Sequence, residues 1–249
     1  SPKISDIILM GSERIHLFDT PLLVSRNMGL AVDQRAAKRV MDILISGIGI
    51  IITSPIMLII AIAVKAYDRG PVFYFQDRLT LGGKPFKICK FRSMCVDSEK
   101  NGARLASKHD SRITPVGHVL RNLHLDELPQ LFNVFKGDMS LVGPRPERES
   151  IMLEYEKELP EFYYRLKVKA GLTGYAQVYG KYNTTPYDKL KLDLFYIENY
   201  SFLLDIKLIF MTVKIFFQKE VSEGVDDRQV NALKDSGKNA GVSENKTEE

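Results

Sequence analysis

Cysteine is almost missing from this chain. Cys89 and Cys95 are the only two, with five residues between them and no second pair to complete a metal-binding set. They offer no complete metal-ligand set, and both side chains read as reduced and cytosolic. Zinc-finger spacing, RNA-binding aromatic motifs and long Lys/Arg runs are absent as well, which leaves no nucleic-acid partner to argue for. Nothing near Ser1 reads as a signal peptide, and Ser in place of an initiating Met suggests a processed or truncated chain.

What is present is a basic body with an acidic end. The formal charge is +4, yet residues 221–249 hold four Lys or Arg against seven Asp or Glu, so residues 1–220 carry +7. Such a surface meets an anionic membrane or phosphorylated small molecules. At 249 residues the chain can bury a core in one or two domains.

The most informative stretch is the 22-residue string from Leu125 to Pro146, LDELPQLFNVFKGDMSLVGPRP. Asp126 and Glu127 are adjacent carboxylates, placed between a basic segment ending at Arg121 and a loop in which Pro144 and Pro146 flank Arg145. A carboxylate beside guanidinium groups is expected to keep its charge, because the opposite charge lowers its pKa. It can hold a hard divalent cation, act as a base, or attack phosphorus. Neighbours on a helix point about 100° apart, so the two acids cannot play identical parts. The plainer alternative is a helix N-terminus, with acids favoured by the macrodipole and Pro129 in the first turn.

This string resembles the signature of the bacterial sugar transferases, monotopic enzymes that move a hexose 1-phosphate from a UDP-sugar onto a polyprenyl phosphate. The resemblance implies that Asp126 is the nucleophile, that Glu127 assists with metal or proton handling, and that Arg121 contacts substrate phosphate. Mg²⁺ is the implied cofactor, with Asp126 and Glu127 as its ligands, and Arg145 is expected on donor phosphate or uridine.

Earlier in the chain, residues 1–32 read as a linker or the tail of an upstream domain, with Pro21-Leu22-Leu23 similar to the segment preceding the catalytic part of larger family members. The catalytic domain is expected over residues 33–219. A basic helical segment, Arg35 to Asp42, leads into 22 uncharged residues, Ile43 to Val64, which cover about 33 Å as a straight helix. Length permits a membrane span. However, Lys38 and Arg39 flank one end and Lys65 and Arg69 the other, Ser54-Pro55 sits near the middle, and Gly47 and Gly49 loosen the first half. A helix bent at Ser54-Pro55 that enters and leaves by the same leaflet fits these features, and the resembled family has such a re-entrant helix. The alternative is an ordinary span with a tolerated proline.

Two extended segments, ending at Arg78 and running from Pro85 to Phe91, flank a Gly82-Gly83 turn and predict a β-hairpin. Arg78, Lys90, Arg92 and, further on, Arg112 either support phosphates or are solvated surface. His124 stands where the family often has a small hydroxyl residue, and no role is assigned to it. Residues 97–110 read as a polar loop, Glu147 to Lys167 as a charged amphipathic helix interrupted at Pro160, and Ala170 to Lys181 as a Gly-rich turn and strand. Apolar residues recurring beside lysines from Tyr187 to Gln218 predict helix, lying in the plane of an anionic membrane or buried in the core. Residues 220–249 have the composition of a disordered tail.

The fold class expected is thus α/β and mainly helical: a monotopic membrane protein with a re-entrant helix, a small hairpin and interfacial amphipathic helices. The partners implied are a UDP-sugar, a polyprenyl phosphate and the inner leaflet of the bacterial cell membrane on its cytoplasmic face. A homo-oligomer is left open. Direct displacement without a covalent intermediate, and an inactive membrane scaffold, are the alternative functions.

Overall fold

The computed structural model describes residues 4, 12–17, 20–25, 32–96, 110–180 and 184–217. The predicted polar loop at 97–109 and the segment from 218 onward lie outside the described residues. Within the stretch read as a linker, the backbone forms a hairpin, β1 (Ser12–Leu17) against β2 (Thr20–Ser25), with Ser12 opposite Ser25 and Leu17 opposite Thr20.

The long apolar segment is one helix, α1, Val32–Asp68, 37 residues in length. Asp33 in its first turn and Lys65 in its last suit the helix dipole. Where a break was expected, helical structure continues through Pro55. Pro55 has no N–H to offer the carbonyl of Ile51, four residues back, and the Ser54 hydroxyl donates to that same carbonyl at 2.8 Å. Thr53 likewise donates to the Gly49 carbonyl at 2.7 Å. Back-bonding hydroxyls of this kind satisfy the freed carbonyl and favour curvature.

Both parts of α1 pack on the same body. Near its start, Asp42 is buried and accepts from Ser140 Oγ at 3.1 Å and the Leu141 N–H at 2.9 Å. Lys38 donates to Asp205 at 2.5 Å and to the Tyr196 hydroxyl at 3.2 Å. Toward its end, Met57, Ile60 and Val64 form a small core with Phe91 and Leu120. Between these anchors Gly47 and Gly49 lie against Phe135 and Leu131, where a Cβ would come within 3.4 and 3.3 Å, so they serve as contact surface for the helix Gln130–Lys136. The outer face is apolar and bare: Ile48, Ile51, Ile52, Leu58, Ile59 and Ile62 are each more than half exposed. Among the described residues α1 alone is long and apolar enough to cross a membrane by length and composition.

The predicted hairpin is present as β3 (Phe73–Leu79) and β4 (Pro85–Phe91), antiparallel, with Leu79 opposite Pro85. Gly82 and Gly83 take φ of 68° and 76° in the turn, a conformation open to glycine at no steric cost. Helix α2 (Pro115–Asn122) starts on a Thr114 cap, whose side chain accepts the Gly117 N–H, with Pro at the first helical position. A 3₁₀ turn (Leu125–Glu127) and α3 (Gln130–Lys136) follow. The signature string then passes through β5 (Ser140–Val142), every residue of which is buried, into the Gly-Pro-Arg-Pro loop. It pairs in parallel with β6 (Gly171–Thr173), a pairing with no sequence signal because both strands are three residues long.

Between them lie α4 (Glu149–Glu158) and a 3₁₀ segment (Pro160–Lys167), divided near Pro160 as expected. The short α5 (Tyr175–Tyr179) precedes two helices, α6 (Pro186–Glu198) and α7 (Phe202–Phe217). The expectation of interfacial helices needs correcting for α6. Leu190 and Leu194 are fully buried and Tyr196 and Ile197 nearly so, in one core with Val134, Met139, Val142 and Phe162. Its apolar face meets protein, and each such side chain contributes about 1.5–3 kcal/mol by leaving water. Helix α7 differs: Leu208 is buried, while Leu203 and Phe210 are 76% and 72% exposed.

One side chain ties α3 to the hairpin. Asn133 is buried, accepts the Cys89 N–H at 2.9 Å and donates to the Lys87 carbonyl at 2.8 Å, pairing with β4 as another strand would. Replacing it by Ala leaves the partly buried Cys89 N–H and Lys87 carbonyl without this partner, and each lost hydrogen bond costs about 0.5–1.5 kcal/mol. We expect Asn133→Ala to lower Tm in neutral detergent by several degrees, and an unchanged Tm would show that this pairing does not hold the hairpin.

Candidate active site

The adjacent acids sit on the 3₁₀ turn Leu125–Glu127, entered through His124 in the left-handed region at φ 52°. Three residues per turn set successive side chains about 120° apart, so Asp126 and Glu127 point into different surroundings.

Glu127 is clamped. Its Oε1 accepts from Lys90 Nζ at 2.7 Å and from Arg145 Nη2 at 2.6 Å. Burial alone would push its carboxyl up, but Arg145 and Lys90 outweigh it and hold Glu127 well below the usual carboxylate range. Arg145 in turn is raised by the charge of Glu127. Burial lowers Lys90, with Glu127 opposing.

Asp126 behaves differently from the expectation that neighbouring arginines would lower it. Its pKa is raised, first by burial and then by the charge of Glu127, and Lys90 and Arg121 only partly offset this. The expectation failed because burial and the charge of Glu127 outweigh the surrounding cations, of which Lys90 and Arg145 direct their hydrogen bonds to Glu127. Among the described residues no hydrogen bond to the Asp126 carboxylate is formed.

The Gly-Pro-Arg-Pro loop is held through its backbone. The carbonyls of Pro144, Arg145, Pro146 and Glu147 accept from the Gly171 N–H, Arg165 Nη2, Arg78 Nη1 and the Leu79 N–H at 2.9, 2.9, 3.1 and 3.0 Å. Pro144 and Pro146 are buried, leaving the Arg145 side chain to project. Underneath, Glu147 pairs with Lys189, with Arg165 at 3.5 Å and with Arg78 at 3.8 Å, and Arg165 pairs with buried Asp193 at 2.8 Å. Arg165, Lys189 and Asp193 were not singled out as site residues, since a lone acid or base in a helical stretch gives no sign of its partner.

The other predicted positions divide. Arg121, on the last turn of α2, acts electrostatically on both Asp126 and Asp110, at the edge of the site. Arg112 forms a fork with Asp110, Nε at 2.9 Å and Nη2 at 2.6 Å, and its hydrogen bonds hold the Asp110 carboxyl down to about 2. Arg92 is buried and pairs with Asp68 at the end of α1, packed on Gly70. The structure therefore brings together Asp126, Glu127, Lys90, Arg121 and Arg145, and turns Arg92 and Arg112 to partners of their own. Ser54 and Pro55 lie on α1.

A cavity of about 380 Å³ opens beside Glu127 and Arg145. Polar groups from His124, Thr173 and Gln177 share its wall with Leu172, Val178 and Ile209. Among the described residues no cluster of three His, Cys, Asp or Glu side chains is positioned to hold a metal. Two carboxylates suit Mg²⁺ nonetheless, since this ion keeps several waters and takes one or two carboxylates plus substrate phosphates. Asp126 is unspent and Glu127 uses only Oε1 in its two bonds, so oxygens remain for such an ion.

The bacterial sugar transferase family model matches residues 33–219. The chain belongs to the bacterial sugar transferase family. An Aeromonas hydrophila protein named UDP-N-acetylgalactosamine-undecaprenyl-phosphate N-acetylgalactosaminephosphotransferase is 46% identical over 180 residues, covering 71% of this chain and 43% of its own. A Klebsiella pneumoniae protein named UDP-glucose:undecaprenyl-phosphate glucose-1-phosphate transferase is 43% identical over 204 residues, 80% of this chain and 42% of its own. A Caulobacter vibrioides protein of the latter name is 38% identical over 203 residues, 78% of this chain and 75% of its own. The chain thus spans less than half the length of the first two relatives.

The clamp on Glu127 has a pH signature. Its folded pKa is depressed from 4.5, so the ionised form contributes fully above the unfolded value and the contribution is lost as pH falls toward the folded one. We expect the Tm difference between the parent and Glu127→Gln to hold steady from about pH 8 to 5 and to narrow below about 4.5. A difference independent of pH down to 3 would mean that charge is not what holds the clamp.

Proposed function

We propose that this chain transfers a hexose 1-phosphate from a UDP-sugar to a polyprenyl phosphate, releasing UMP, through a covalent glycosyl phosphate on Asp126. The observation that carries this is the unequal treatment of two adjacent acids. The charge of ionised Glu127 is balanced by Lys90 and Arg145, while Asp126 is partly desolvated and, among the described residues, has no hydrogen-bond donor. A carboxylate stripped of donors is more basic and a better nucleophile than a solvated one.

In the first step an Asp126 oxygen attacks the β-phosphorus, the bond from that phosphorus to the bridging oxygen breaks, and UMP leaves with the electron pair. In the second, a phosphate oxygen of the prenyl acceptor attacks the same phosphorus and the Asp126 carboxylate departs. Phosphoryl transfer rests on positioning and on neutralising the non-bridging oxygens, and Arg145 and Arg121 supply fixed charge for that. Mg²⁺, when bound by Asp126 and Glu127, would add to that neutralisation. Glu127, held ionised, is unsuited to donate a proton, which favours the metal-ligand role over proton handling. The mixed lining of the cavity beside Arg145 suits an acceptor that joins a phosphate to a hydrocarbon chain.

The same reading takes the chain to one leaflet, the inner one, with the site on the cytoplasmic face. A bilayer-crossing helix has its ends on opposite sides, whereas both parts of α1 pack on the body that carries the site, through Asp42 and Lys38 at one end and Val64 at the other. The bare isoleucines between them then meet lipid, with the Ser54-Pro55 pair as the bend. The relatives' names differ in the sugar, so the hexose here is for a donor panel to decide.

With Mg²⁺ and undecaprenyl phosphate in detergent, we expect UMP release from one or two UDP-sugars, reduced at least about a thousandfold in Asp126→Asn. Without acceptor, labelled sugar phosphate should remain on the parent protein and not on the variant. Release without trapping would favour direct displacement, and silence across the panel would favour an inactive scaffold.

Gly171 offers a second test away from the acids. A Cβ there would lie 2.1 Å from the Gly143 N and 2.4 Å from the Thr173 O, both backbone atoms, so Gly171→Ala must displace the loop that carries Arg145. We expect at least a hundredfold loss in kcat with the fold retained by circular dichroism, because small displacements of positioned groups are costly. Full activity would detach the loop from catalysis.

A further inference from the structure

A second cavity, of about 300 Å³, lies where α1 enters its apolar stretch, and it shares no lining residue with the one beside Glu127 and Arg145. Arg35, Lys38, Arg39, Lys167 and Lys169 line it against a single acid, Asp42. Two of these charges are already balanced or spent. Lys38 is paired with Asp205, and Asp42 accepts from Ser140 and the Leu141 N–H.

The remainder is positive. Arg39 donates to the Val134 and Phe135 carbonyls at 2.8 and 2.7 Å, and Lys169 to the Gly137 carbonyl at 2.9 Å, all neutral acceptors at the end of α3. Lys167 lies 4.4 Å over the Tyr164 ring. Among the described residues none of these three is ion-paired with a carboxylate; Asp138, whose charge reaches Lys169, is paired with Lys136 at 3.3 Å, and Lys167 and Glu198 interact only through their charges. Lys169 is pushed down by burial and then by Arg39, with Asp42 and Asp138 opposing only in part. The site is one turn from Ile43, and Val40 and Leu44 beside it are 57% and 58% exposed.

We propose that this cavity binds the phosphate of an anionic membrane glycerophospholipid, with the acyl chains laid along the exposed apolar face of α1. The inference rests on the one-leaflet reading above. A phosphodiester supplies the missing counter-charge and several acceptors at the polar border of an apolar face, where basic pockets take lipid headgroups.

The test uses the full chain in neutral detergent at fixed ionic strength, with thermal unfolding followed against short-chain phosphatidylglycerol, short-chain phosphatidylcholine and inorganic phosphate. Phosphatidylglycerol should raise Tm saturably, and Lys167→Gln/Lys169→Gln should weaken its apparent affinity about tenfold or more while UMP release is kept. Should the double variant fail to fold, Lys167→Gln alone should weaken it severalfold. An equal effect of phosphatidylcholine, or an unchanged response in the variant, overturns the site. A full effect of inorganic phosphate with none from phosphatidylglycerol overturns the lipid assignment in favour of a soluble anion. Flotation with neutral phosphatidylcholine vesicles reads membrane attachment separately, so its failure is distinguishable from failure of the headgroup site.

Discussion

The contact on which the arrangement depends is the clamp that Lys90 and Arg145 place on one oxygen of Glu127. It joins three segments far apart in sequence: the hairpin strand β4, the 3₁₀ turn with the two acids, and the Pro-Arg-Pro loop. Removing ionised groups from water is costly, and a half-buried triad persists only where its geometry is good and its partners are fixed. Each arm is fixed. Asn133 pins β4 to α3, and four successive carbonyls pin the loop. The clamp also marks how the neighbouring acid differs, since Lys90 and Arg145 turn to Glu127 and, among the described residues, no donor turns to Asp126, whose pKa burial then raises.

Beneath it, Glu147, Arg165, Asp193 and Lys189 form a second charged layer that touches neither acid. Its effect is on orientation. Arg165 Nη2 donates to the Arg145 carbonyl and lies 2.8 Å from Asp193, so one nitrogen sits between the buried acid below and the backbone above.

Sequence made the outline of this site legible because the chemistry is concentrated in one string. Asp126, Glu127 and Arg145 lie within it, and the hairpin announced itself through alternation around Gly82-Gly83. What stayed hidden depends on pairing across long separations. Nothing in the spacing tells that Arg92 turns to Asp68 while Lys90, on the same hairpin strand as the residues leading to Arg92, turns to Glu127. The direction of the Asp126 shift was misjudged for the same reason: charge composition was visible, but the allotment of donors was not. Likewise α6 and α7 share one composition, and only the core beneath α6 separates a buried helix from one with bare Leu203 and Phe210.

The same reasoning bears on why a buried acid stands at the start of an apolar helix. Asp42 costs desolvation free energy that an apolar residue would avoid. In return its carboxylate fixes the first two residues of β5, the strand that runs directly into the loop with Arg145. Lys38, one turn earlier, fixes Asp205 on α7, whose side chains line the cavity beside Glu127. Position along α1 is thereby transmitted to both walls of the site by two polar contacts only one helical turn apart. A hydrophobic seam in their place would bind α1 as tightly but would tolerate sliding, because apolar contact is non-directional. The polar anchors set a register, and a site that must meet a substrate at a fixed height needs a register more than it needs adhesion.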